Sequence, residues 1–126
     1  MRKFILPILL TFSLNAFAEP DLSQSIHCTY QKGQVLSDKE SVNITNSTPL
    51  KWSFNGLLTE NPQYMAGGDS ERIFSVTINE GVAMYLPDLS GSHSFTVFKS
   101  GKSFWNKQWG IMGEISTQQY IGTCTN

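Results

Sequence analysis

Over most of the chain from Ser25 onward, apolar residues recur at every second position, and turn residues interrupt them about every 8–12 positions. That period belongs to strands half-buried against a core, and no segment shows the 3.6-residue repeat of an amphipathic helix. The expected fold is therefore all-β: a small antiparallel sandwich or barrel. The first strand is expected near Ser25–Lys32, with Ile26, Cys28 and Tyr30 on one face and Gly33 after it. A second, near Ser41–Thr45, ends at Asn46-Ser47-Thr48-Pro49. Leu50, Trp52 and Phe54 then alternate up to Asn55-Gly56, a strong short hairpin signal.

Between Leu57 and Glu71 the alternation lapses, which predicts a long surface loop with a short edge strand at Gln63–Ala66. Phe74, Val76 and Ile78 point one way on the next strand. After Asn79-Glu80-Gly81, Val82, Met84 and Leu86 return facing inward. Pro87-Asp88-Leu89-Ser90-Gly91 has the composition of a loop. Strands at Ser94–Lys99 and Ser103–Met112 follow, the latter interrupted at Gly110. The last strand, Gln118–Thr125, sets Tyr120 and Cys124 on one face and Ile121 and Thr123 on the other.

The N-terminus has a different character. Arg2 and Lys3, an apolar stretch from Phe4 to Leu14 and the small-x-small sequence Ala16-Phe17-Ala18 match a secretory signal peptide covering residues 1–18. The apolar stretch, broken by Pro7, Thr11 and Ser13, falls short of the ~20 residues that span a bilayer. Cleavage is therefore expected to leave one domain, residues 19–126, in the periplasm with no membrane anchor. Its seven basic and ten acidic residues give a charge of −3. Nucleic-acid partners are not expected, because they reward dense Lys and Arg surfaces.

An exported chain with two cysteines is expected to join them. Cys28 and Cys124 would close almost the whole domain into one loop, stabilising it by ~4–5 kcal/mol through chain entropy. They would bring the first and last strands within reach of each other. Neither cysteine has metal-ligand spacing, and no metal or other cofactor is expected.

Candidate catalytic groups are few. Asp88, Ser90 and His93 lie within six positions and could be a hydrolase triad, but that composition is also an ordinary turn. Glu60, Asp69, Glu71, Glu80, Asp88 and Glu114 are scattered through loops and turns rather than paired as a glycosidase requires. His27, opposite in face to Cys28, is expected at the surface. Asn43-Ile44-Thr45 and Asn46-Ser47-Thr48 fit the glycosylation acceptor pattern. A non-enzymatic binding protein is the expectation.

Two segments stand out for binding. Trp105, Lys107 and Trp109 share one strand face, which suits a sugar-stacking or protein-binding surface, or two rings closing the barrel end with Lys107 lying over them. The segment Pro87–Phe95 combines Gly91, which permits close backbone approach, with Ser90, Ser92 and His93 as compact hydrogen-bonding groups.

An exported, disulfide-bonded β domain of this size with Ser90-Gly91 before an aromatic residue resembles the small periplasmic lysozyme inhibitors, whose Ser-Gly-x-x-Tyr loop plugs the lysozyme cleft. Ser90 and Gly91 match the first two places of that motif; the tyrosine's place falls on Ser94, and Phe95 follows one residue later. The overall plan is also similar to exported immunity proteins that neutralise cell-wall-degrading effectors from neighbouring cells. Both resemblances imply a protein that occludes the active-site cleft of a peptidoglycan-degrading enzyme such as a lysozyme-like muramidase. Ser90, Gly91, Ser92 and His93 would form the inserted loop, with Glu80, Trp105 and Trp109 flanking it. The competing expectation is a small barrel that holds an apolar ligand or glycan through its Trp/Phe-rich segment. A homodimer through exposed edge strands is also compatible with the sequence.

Overall fold

A computed structural model describes residues 19–66, 68–88, 91–111 and 113–126. The expected signal peptide, residues 1–18, lies outside the described residues. Nine strands follow in order: β1 (Ile26–Ser37), β2 (Ser41–Asn55), β3 (Gln63–Ala66), β4 (Asp69–Arg72), β5 (Phe74–Ile78), β6 (Gly81–Asp88), β7 (Gly91–Phe98), β8 (Lys102–Ile111) and β9 (Glu114–Thr125). No helix occurs among the described residues.

The sheet is antiparallel throughout, in the order β4-β3-β2-β1-β9-β8-β7-β6-β5. Its two outermost strands, β4 and β5, are consecutive in the chain and meet at Ile73. The fold is a nearly closed barrel rather than a sandwich. Ile73 is buried, and its N–H is donated to the Pro62 carbonyl across 3.1 Å.

Cys28 and Cys124 are directly opposed on neighbouring β1 and β9 and form the disulfide, with Cα atoms 4.0 Å apart. The first and last strands are thus joined both covalently and by their hydrogen-bond ladder. Both cysteines are buried.

Alternation puts Ile26, Cys28 and Tyr30 of β1, Phe54 of β2, Val82 and Met84 of β6, Phe95 and Val97 of β7 and Tyr120 of β9 into one core. Gln31 is a bulge: Tyr30 pairs with Gly122 and Lys32 with Ile121, so the face parity of β1 reverses there. Gly33 continues the strand instead of ending it. A Cβ there would stand 2.6 Å from the Tyr120 ring, and one at Gly122 would stand 2.4 Å from the Tyr30 ring. The two glycines let the tyrosine rings of neighbouring strands lie flat over the backbone.

Several expectations change. The two expected strands on either side of residues 46–49 are one strand, β2. The turn-forming residues Asn46 to Pro49 are accommodated opposite Gln31 as a large irregularity between the pairs Lys32↔Thr45 and Tyr30↔Leu50. Asn55-Gly56 does not close a two-residue hairpin. Gly56, at φ 63°, opens a longer connection to β3, and Thr59 donates both its N–H and its hydroxyl to the Gly56 carbonyl. The short strand at Gln63–Ala66 is present as β3, and part of the expected loop after it is β4. β8 keeps its pairing through Gly110. Phe74, Val76 and Ile78 do share a face, but register sets Phe74 against Tyr85 and Val76 against Ala83, on the side opposite Val82 and Met84. They therefore point out of the barrel.

Candidate functional site

Most of the segment expected to be a projecting loop is strand. β6 runs through Pro87 to Asp88, β7 starts at Gly91, and Asp88 pairs with Gly91. Ser90, with Leu89, lies outside the described residues. Gly91 answers a steric demand, since a Cβ there would meet the Gln108 carbonyl oxygen at 1.8 Å.

His93 does not project. Alternation along β7 turns it inward with Phe95 and Val97, and it is buried. Trp105 donates its indole N–H to His93 Nδ1 at 3.1 Å, and Nε2 lies 3.4 Å from an Asp88 carboxylate oxygen. Burial pulls the imidazole pKa down; Asp88 opposes this and Lys107 assists it. Both ring nitrogens are engaged within the protein, so His93 has no nitrogen left to activate a nucleophile.

Trp105 is likewise a core residue rather than a surface one. Its ring packs with Tyr120 at 4.8 Å, Tyr30 at 5.4 Å, Trp52 at 5.5 Å and Phe95 at 5.9 Å between centroids. Trp52 reaches across from β2 to Phe95 at 4.8 Å and His93 at 5.3 Å. Aromatic rings thus fill the middle of the barrel. Beneath them the Ser103 hydroxyl donates to the Thr96 carbonyl at 2.9 Å and accepts from Tyr30 at 2.7 Å. Burial pushes the Tyr30 phenol up to about 12 against that hydrogen bond.

Trp109, four residues along the same face of β8, is at the rim with the Lys107 ammonium 5.3 Å from its ring centroid. Here β8 and β9 run past β7: the β8–β9 ladder continues beyond the Gly91↔Trp109 pair to Ile111↔Glu114. The ends of β1, β7, β8 and β9 enclose a groove of about 600 Å³, lined by Leu36, Gly91, Ser92, Trp109, Ile115 and Ser116 among others. Three of the residues singled out by sequence, Gly91, Ser92 and Trp109, meet there.

Glu80 does not join them. It sits in the turn at the start of β6, whereas Gly91 pairs with the last residue of that strand. Leu36 and Ile115 were not singled out. Ile115 stands between polar neighbours before the expected start of the last strand, and only the β8–β9 pairing, which sets it opposite Gly110, brings it to the groove. Its side chain is 66 % exposed.

The carboxylates divide. Glu71 accepts a short hydrogen bond from the Tyr64 hydroxyl, Glu114 pairs with Lys39 at 3.0 Å, and Asp88 faces His93. Among the described residues no three His, Cys, Asp or Glu side chains are grouped to hold a metal ion. His27 is exposed and bonds the Ser53 hydroxyl. The amide nitrogen of Asn46 is buried, unlike the exposed Asn43, so of the two acceptor sequences only the first presents its asparagine. Comparison of the chain with family models, curated proteins and solved structures finds no match.

Proposed function

We propose that this is an exported inhibitor or immunity protein that binds a lysozyme-like muramidase and blocks its cleft with the barrel end formed by the β1–β2, β6–β7 and β8–β9 tips. The observation that carries the reading is the convergence of Gly91, Ser92 and Trp109 on one apolar groove with Leu36 and Ile115. A tryptophan and exposed aliphatic side chains ringed by small polar groups have the composition of an interface hot spot.

The inserted element is the start of β7, Gly91 and Ser92. His93 and Trp105 act from behind it by fixing the ends of β7 and β8. The surrounding tips carry Asp38, Glu40 and Glu114 against Lys39, a net negative rim that suits an enzyme with a basic cleft margin. The target class rests on the resemblance to periplasmic lysozyme inhibitors.

Binding to a panel of immobilised lysozymes and muramidases, compared for the native protein and Ile115→Asp, tests this surface. Because Ile115 is exposed, the variant should fold normally and lose at least 30-fold in affinity, about 2 kcal/mol, the loss expected of a hot-spot residue. Equal binding by the two proteins would overturn the assignment.

The groove's volume also falls within the range of small-ligand sites, which favours a glycan or apolar ligand stacked on Trp109 as the second reading. The barrel interior is filled by rings, so such a ligand would sit in the rim groove. Quenching of Trp109 fluorescence by a peptidoglycan fragment, without binding to any hydrolase, would favour it.

A further inference from the structure

The outward face of β2, β1, β9 and β8 is organised in three rungs that the strand register sets side by side. They are Lys51-Thr29-Thr123-Lys102, Thr45-Lys32-Ile121-Phe104 and Asn43-Gln34-Gln119-Asn106. Their alternating neighbours Cys28, Tyr30, Ser103, Trp105, Tyr120 and Cys124 are buried, so the rungs point out of the barrel. At about 4.8 Å between strands and about 6.8 Å between rungs, the face is roughly 14 Å on each side.

Its charge is one-sided. The chain carries ten Asp and Glu residues, yet none stands on these rungs, and the four strands contain only Glu114, at the tip of β9. Lys32, Lys51 and Lys102 are exposed and have no salt-bridge partner among the described residues. A surface that only has to stay soluble intersperses both signs.

The face is also hollowed. Lys32, Gln34, Asn106 and Gln119, with Phe104 and Ile121, line a groove of about 420 Å³. Gln34 donates to the Ser41 hydroxyl at 2.8 Å, whereas the side chains of Asn106 and Gln119 bond no group among the described residues. Glu80 enters only at a second hollow, beyond Phe104 and Ile121.

These groups match one chemistry. Amides hydrogen-bond acetamido groups and sugar hydroxyls, an aromatic ring packs on the apolar face of a sugar, and unpaired lysines attract carboxylates. A protein partner fits less well, because interface cores are depleted in lysine and rich in aromatic residues, whereas Phe104 is the one aromatic residue on the rungs.

We propose that this face binds a carboxylate-bearing, N-acetylated glycan, with its sugars in the groove beside Phe104 and its carboxylates toward Lys32, Lys51 and Lys102. The groove shares no lining residue with the rim groove.

Fluorescence anisotropy of labelled probes with the purified disulfide-bonded protein is the test; no hydrolase is present, so the outcome is independent of the muramidase reading. The probe is a peptide-free peptidoglycan glycan strand, whose sugars are all N-acetylated and alternately carry a lactyl carboxylate. It should bind saturably and more weakly as salt rises. A chitin oligomer of equal length, which lacks the carboxylates, and poly-glutamate, which lacks the sugars, should each bind about tenfold more weakly or worse. Lys32→Glu should lower affinity for the glycan strand about tenfold and Gln119→Ala about threefold, both with an unchanged melting temperature. No binding of the glycan strand, equal or tighter binding of either control, or a Lys32→Glu protein that binds like the native one would each overturn the proposal.

Discussion

Trp105 donates its indole N–H to Nδ1 of His93 over 3.1 Å, and that bond fixes the imidazole as the neutral tautomer with its proton on Nε2, facing Asp88. Protonating Nδ1 would set two donors against each other inside an aromatic cluster. Burial is the main reason that the His93 pKa lies below the ordinary 6.5, with Lys107 acting in the same direction and Asp88 against it.

Below pH 6.5 the unfolded chain takes up the proton more readily than the folded one, so stability falls with pH. The contribution of His93 is complete above 6.5 and is lost as the pH drops through the depressed folded value. Thermal melts of the native protein should show a lower Tm at pH 5 than at pH 7.5, and His93→Gln should flatten that difference. Trp105→Phe, which leaves Nδ1 buried without a donor, should cost about 1–3 kcal/mol at neutral pH. A pH slope identical in native protein and His93→Gln would assign the effect elsewhere.

The Cys28–Cys124 bridge closes a loop of 96 residues, yet it joins strands that are already hydrogen-bonded neighbours. Its contribution therefore lies mainly in the unfolded chain. Reduction should lower stability by about 2–5 kcal/mol and leave the far-ultraviolet circular dichroism of the surviving folded fraction unchanged. Urea titrations with and without reductant measure the difference. Equal midpoints would show that the bridge adds nothing to the ladder.

Gly122 is required by the Tyr30 ring rather than by a turn. A Cβ at that position would lie 2.2 Å from the Thr29 carbonyl oxygen and 2.4 Å from Tyr30 Cδ1. Gly122→Ala should cost about 1–3 kcal/mol through overpacking. Gly113 is the control: it has a positive φ but open space around it, so Gly113→Asn should be far milder. Denaturant melts that rank the two variants the other way would contradict the packing argument.

How much of this was legible in the sequence depends on what each signal encodes. Alternation revealed the inward faces of Val82 with Met84 and of Tyr120 with Cys124, because a face pattern is local. It showed that Phe74, Val76 and Ile78 share a face, but the choice of face belongs to the register with β6, which alternation alone does not specify. Asn46 to Pro49 have turn chemistry, and a long strand can also absorb such residues where its partner bulges at Gln31. His93 looked like a loop residue because its neighbours are small and polar; its burial follows from rings contributed by β2 and β8. Leu36, Trp109 and Ile115 make a groove only after the hairpins have formed, and nothing in their local sequence links them.

The proposed inhibition acts through the rim groove. The most direct measurement is titration of the purified disulfide-bonded protein into peptidoglycan-clearing assays, each run with one member of a panel of lysozymes and muramidase effectors. One enzyme should be inhibited stoichiometrically, reaching completion near one molecule of protein per molecule of enzyme. Undiminished clearing by every enzyme in the panel, with the protein in large excess, would contradict it.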